Sequence, residues 1–138
     1  MKFNFELTIN CSAKRVWSFY EDIKKWYTWE DELQDIQLEG SFSQGSAGSM
    51  TFTGMPPLTF ELISVIKEQK FCDKTSIPKI GDLYFDHQIK TCDAGVLVQH
   101  SVALENAEIS KQNIAFLNNI FKDVPHSMLK LKEACENV

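Results

Sequence analysis

The stretch DLYFDHQIKTCDAGVLVQHSVALE, running from Asp82 to Glu105, decides the fold of this chain. In its first half Leu83, Phe85, His87 and Ile89 alternate with mostly polar residues. In its second half Val96, Val98, His100, Val102 and Leu104 do the same. A period of two marks half-buried strands. Cys92-Asp93-Ala94-Gly95 between them is a turn whose glycine supplies a positive dihedral. Closing the hairpin there sets Leu83 against Leu104, Phe85 against Val102, His87 against His100 and Ile89 against Val98. A slip of one residue would turn every one of these side chains into water, so the register is strongly specified. Two histidines are thereby predicted to face each other on the inner side of a sheet.

The segments before the hairpin continue the pattern. Phe3, Phe5, Leu7 and Ile9 predict a first strand. Ser12 then caps a helix whose apolar stripe is Val16, Phe19, Tyr20, Ile23, Trp26 and Tyr27. Thr28 followed by Glu30, Asp31 and Glu32 predicts a second, short helix with acidic residues in its first turn. From Leu33 the period returns to two. Ile36, Leu38, Gly40 and Phe42 share one face, and Gln44 to Gly48 turn the chain. Met50, Phe52 and Gly54 lie on the next strand, and Leu58, Phe60, Leu62, Ser64 and Ile66 on the one after. A fifth strand, from Phe71 to Ile77, shows no alternation that assigns its faces. After the hairpin, apolar residues at helical spacing from Ile109 to Cys135 predict one long helix over about Glu108 to Glu136, kinked at Pro125.

The order is strand, two short helices, six strands and one long helix. Seven antiparallel strands must curl, and a long helix with a broad apolar stripe fills the concave side. Such an α+β arrangement makes residues 1–138 a single domain. It places an apolar cavity for a small molecule between sheet and terminal helix. A formal charge of −5 argues against nucleic-acid and anionic-membrane partners, whose binding is driven by cationic charge. No apolar run approaches a membrane span and no signal-peptide block opens the chain, so no stable membrane insertion is expected. Cys11, Cys72, Cys92 and Cys135 are scattered with no CxxC pair, which suggests a reduced, cytoplasmic protein without metal knuckles.

Several pieces, in this order and spacing, carry a resemblance that spans essentially the whole chain. They are Val16-Trp17, the run Trp26-Tyr27-Thr28-Trp29-Glu30, and Gly40 to Gly48. Further along come Leu83 to His87, Val98 to Leu104, and Val124 to Lys132. Together they resemble the helix-grip fold of the START-like (SRPBCC) superfamily, specifically its polyketide cyclase/dehydrase branch. The resemblance implies a hydrophobic cavity for lipid-like, polyketide-like or other aromatic ligands, and it fixes no chemistry, since the superfamily includes carriers, sensors and enzymes. The chain departs from its relatives in having Glu105-Asn106-Ala107, where a glycine-proline pair often precedes the last helix.

His87 and His100 are the sharpest candidates. Two inward imidazoles can hold the polar end of a ligand or pass a proton, and they can equally well hydrogen-bond each other and satisfy the core. Burial and mutual repulsion both disfavour charging them together. The expected ligand-binding set is His87 and His100 with Trp26, Trp29, Phe42, Met50, Phe52, Phe60, Phe85, Phe116 and Ile120. Trp26, Tyr27 and Trp29 are placed either at the cavity mouth or in ordinary packing. A metal needs a third ligand. His126 and Asp123 are the sole nearby candidates in the sequence, so no metal and no cofactor are expected. No phosphate loop, serine elbow or pair of interior carboxylates is apparent. The principal reading is therefore binding of a hydrophobic or aromatic small molecule. The alternatives are a cyclase or dehydratase using His87 or His100 as general acid or base, and a surface interaction module without a ligand. Oligomeric state is not legible.

Overall fold

The computed structural model describes residues 1–137. Its strands are β1 (Lys2–Ile9), β2 (Leu33–Leu38), β3 (Ala47–Phe52), β4 (Leu58–Ile66), β5 (Lys70–Ile77), β6 (Gly81–Cys92) and β7 (Gly95–Glu105). They form one antiparallel sheet in the order β1-β7-β6-β5-β4-β3-β2. The central hairpin has the register its alternation demands: Leu83 opposes Leu104, Phe85 Val102, His87 His100 and Ile89 Val98. β1 joins the far side of β7, with Phe5 opposite His100. Register shifts between Leu33 and Asp35 and between Leu62 and Ser64 interrupt the ladders of β2 and β4. Such bulges bend a strand and increase its twist, which helps the sheet curl.

The bulge in β4 also changes which residues face inward. Alternation from Leu62 points to Ser64 and Ile66, but the extra residue reverses the phase. Val65 packs on the core and Ile66 is 46% exposed. Gly48, read from sequence as part of a turn, lies inside β3 opposite Phe60. A Cβ there would clash with the Gln37 carbonyl oxygen and sit 2.8 Å from Phe60 Cζ, so the neighbouring strand and the phenyl ring take the space a side chain would need. β2 ends at Leu38. Gly40 turns the chain with φ +83, and Phe42 still packs back onto the core.

Ser12 caps the first helix, α1 (Ala13–Glu21), its hydroxyl accepting from Arg15 N at 3.1 Å. Val16, Trp17, Phe19 and Tyr20 are its buried residues. The short second helix, α2 (Trp26–Trp29), lies one turn earlier than expected and follows a 3-10 turn over Ile23–Lys25. Burial of Trp26 and Trp29, three residues apart, decides its position. Glu30 N closes the turn on Trp26 O at 2.8 Å, leaving Glu30 to Glu32 outside the helix.

The long terminal helix is α3 (Lys111–Phe121), capped by Ser110, and α4 (Val124–Glu136), with a break at Lys122–Asp123. Pro125 has no N–H to donate back to the previous turn. It therefore sits in the first turn of α4, and the expected kink falls just before it. The β7–α3 connection turns at Asn106, which adopts φ +53 and donates from Nδ2 to Asp82 Oδ2 at 2.8 Å. An asparagine tolerates the left-handed region, so the turn closes without a glycine.

The core divides into two clusters. One gathers α1, α2, α4 and residues from all seven strands around Trp17, Tyr20, Trp29, Phe60 and Phe71. The other gathers Leu83, Val102, Leu104 and Leu117, with Phe85, Phe116 and Ile120 against them. Val124, at the break in the terminal helix, packs against both.

Candidate functional site

His87 and His100 meet on the concave face with ring centroids 4.5 Å apart in an edge-to-face arrangement. Neighbouring elements occupy their polar atoms and their faces. The Tyr20 hydroxyl of α1 lies 2.7 Å from His100 Nε2, and His87 Nδ1 lies 3.3 Å from Phe71 O. A backbone carbonyl only accepts, so Nδ1 of His87 carries the proton. The Phe71 ring stacks on His87 at 3.9 Å with an 8° interplanar angle. Trp29 and Tyr20 add their ring edges. Burial drives both imidazoles toward the neutral form. The His87 value falls to about 4, and His100 falls well below its usual 6.5 through burial and the proximity of His87. At neutral pH the pair consists of two uncharged hydrogen-bonding groups.

The structure places the expected ligand residues in different surroundings. Trp26 and Trp29 are buried, their indole N–H groups donating to Tyr20 O at 2.8 Å and Phe19 O at 3.2 Å, while Tyr27 is 43% exposed. Trp26, Trp29, Phe42, Met50, Phe52 and Phe60 belong to the histidine side of the core, whereas Phe85, Phe116 and Ile120 belong to the other cluster. The space beside the histidines is filled by Tyr20, Phe71 and Trp29, each at most 1% exposed. His126 points outward and pairs with Asp31 at 3.0 Å, and no group among the described residues is built to hold a metal.

Sequence reasoning missed a second set of polar groups. On β5, Phe71 faces inward onto His87, so Asp73 and Thr75 face inward too. Both are 1% exposed. Asp73 Oδ1 and Thr75 Oγ1 have no hydrogen-bond partner among the described residues. Glu30, just after α2, is half-buried. Burial, with the charges of Asp123 and Asp31, pushes its carboxyl up to about 8. Burial and the charge of Glu30 hold Asp73 well above the usual carboxylate range. Asp73 is a buried carboxylate that the sequence did not announce, and Glu30 is half-buried. Asp73 lay on the one strand whose faces could not be assigned, and Glu30 read as the acidic first turn of a helix. The inward position of Asp73 pairs it with Phe85, which is half-buried, and Phe85 and Val124 belong to the cluster on that side. Two surface concavities lie elsewhere. One, of about 320 Å³, runs from Lys79 and Ile80 to Phe116, and one of about 430 Å³ lies beside Cys11 and Cys135.

No family model and no curated protein matches this sequence. Solved structures do match its fold. The protein MLL2253 from Mesorhizobium loti superposes with a TM-score of 0.81 over 100% of this chain and 98% of its own, at 8% identity. The Aha1 dimer protein from Colwellia psychrerythraea gives 0.76 over 99% and 97% at 16% identity. DynU16 of the dynemicin biosynthetic locus gives 0.75 over 99% of this chain and 47% of its own, at 9% identity. At these identities the likeness is one of fold. Seven curled antiparallel strands gripping a long terminal helix, with two short helices after the first strand, give this chain the helix-grip fold.

Proposed function

We propose that this protein binds an apolar or aromatic small molecule, lipid-like or polyketide-like, between the sheet and the terminal helix. In this reading the ligand's polar end meets the inward groups of β5. The observation that carries it is the pair of buried, unpartnered atoms Asp73 Oδ1 and Thr75 Oγ1 on the concave face. A buried polar atom without a partner costs about 1–3 kcal/mol, so such atoms persist where something other than the protein satisfies them. Phe85, Phe116, Ile120 and Val124 line the apolar side of this seam. His87 and His100 stand next along the sheet as neutral donors and acceptors. Free cysteines fit a cytoplasmic location.

The catalytic alternative is less well supported. A general acid must hold a proton at working pH, and burial leaves His87, with a pKa of about 4, deprotonated at neutrality; the same low pKa makes it a weak general base. The test is organic extraction and native mass spectrometry of freshly purified protein, repeated on Thr75→Val, His87→Phe and His100→Phe. Thr75→Val is expected to raise the melting temperature, because an orphan hydroxyl is removed, and to lose the co-purifying compound. The histidine changes are expected to weaken its binding. A protein that carries no compound, and binds none from a panel of aromatic and lipid-like molecules, would overturn the reading in favour of a surface module.

A further inference from the structure

Cys11 lies just past the end of β1, and Cys135 lies in the last turn of α4. Their backbones are tied together from both sides. Asn10 N donates to Glu136 Oε2 at 2.8 Å, Arg15 Nε donates to Cys135 O at 3.3 Å, and Lys132 Nζ donates to Thr8 O at 3.3 Å. Cys11 packs against the buried cluster that contains Cys135. A concavity of about 430 Å³, lined by Asn10, Cys11, Ser12, Arg15, Cys135 and Glu136, opens beside them. Cys135 is 3% exposed and Cys11 is half-buried, so an incoming reagent meets Cys11 first. Cys72 belongs to the outward face of β5, opposite Asp86, and Cys92 is exposed at the β6–β7 turn.

We infer that Cys11 and Cys135 are a modification site: a low-molecular-weight disulfide converts them to an internal disulfide that clasps the end of the terminal helix to the end of the first strand. With oxidised glutathione as reagent, the Cys11 thiolate attacks one glutathione sulfur. The glutathione S–S bond breaks, a Cys11–glutathione disulfide forms, and one glutathione leaves as its thiolate. Cys135, deprotonated in turn, attacks the Cys11 sulfur and expels the second glutathione thiolate. Two protein thiols are oxidised, one glutathione disulfide is reduced to two thiols, and the two protons released by the cysteines end on glutathione. Burial raises the Cys11 thiol and pushes Cys135 up to about 12. Closure is therefore slow at neutral pH and quickens as pH rises. The same basicity makes each sulfur a poor leaving group, so the closed bond resists attack by outside thiols.

The experiment uses the full chain carrying Cys92→Ser, so that the exposed thiol does not compete. Folded protein is incubated with oxidised glutathione at mildly alkaline pH, quenched in acid and examined by intact mass and peptide mapping without reductant. The expected product has lost about 2 Da, retains no glutathione, yields a Cys11–Cys135 cross-linked peptide and melts at higher temperature than the reduced form. Adding Cys11→Ser should abolish the mass loss. A stable glutathione adduct on Cys11 with Cys135 still free would overturn the inference. So would failure of the folded protein to react under conditions that oxidise the urea-unfolded chain.

Discussion

Tyr20 is fully buried in the aromatic cluster, and its hydroxyl is satisfied by a single imidazole, His100, at 2.7 Å. The histidine could be assigned an inward position from the alternation of its own strand. Its partner could not, because Tyr20 lies 80 residues away on a helix where it reads as one more member of an apolar stripe. The bond makes a specific energetic demand. His100→Phe fills the space but orphans the hydroxyl, and the expected cost is about 1–3 kcal/mol beyond any change in packing. Tyr20→Phe removes the hydroxyl and leaves one nitrogen of a neutral ring to find another partner. The double variant removes both ends and should be more stable than the two single costs predict, by about 1 kcal/mol or more. Urea denaturation of the four proteins checks this. Strict additivity would mean that the 2.7 Å approach contributes nothing.

Elements were legible to the extent that their inner faces are apolar. β6 and β7 declare their register because their buried inward positions, the two histidines apart, are all large hydrophobes. β5 conceals its facing because Asp73 and Thr75, the residues that point inward, are polar, while Cys72 on the outer face is buried. The polar groups that obscured the strand are the ones assigned to the ligand, so function and legibility conflict at that point. β4 misled for a different reason. A bulge adds a residue whose presence depends on the partner strand, and no local pattern announces it. Gly48 belongs to the same class, since its need for hydrogen at Cα comes from the Gln37 carbonyl on β2 and a ring on β4. Gly48→Ala should accordingly destabilise the β2–β3–β4 edge by about 2 kcal/mol or more. A Cβ would press on Phe60 and on the carbonyl of Gln37, and one of them must move. Thermal melting together with amide exchange of β2 and β3 measures it. Unchanged exchange would show that the edge absorbs the methyl group without loss.

At the scale of the whole molecule, the sequence showed a strand–helix order sufficient for the helix-grip fold. It did not show that the interior holds two kinds of titratable group whose burial acts in opposite directions. The buried histidines withhold a proton that the unfolded chain takes up below pH 6.5. Their contribution is complete above that value and is lost as pH falls toward about 4, on the order of 3 kcal/mol for His87 if its burial is maintained. Glu30 does the reverse. It keeps its proton in the fold up to about pH 8 while the unfolded chain releases it near 4.5, so its contribution is complete below 4.5 and is lost as pH rises through 8. Asp73 adds in the same direction as Glu30. Asp31, Asp82 and Glu136, held low by Lys130, Asn106 and Lys132, act below this window. Between pH 4.5 and 6.5 the two trends oppose each other, and above 6.5 the carboxyls act alone. Stability should therefore peak on the acidic side of neutrality and decline between pH 6.5 and 8, the reverse of what surface carboxylates in ion pairs produce. The urea midpoint measured across that range tests the sign. Glu30→Gln with Asp73→Asn should flatten the alkaline decline and leave the acid limb in place, because the histidines are untouched. A midpoint that stays level from pH 6.5 to 8 in the parent protein would mean that water reaches Glu30 and Asp73 freely, and the seam between the two core clusters would then be open to solvent.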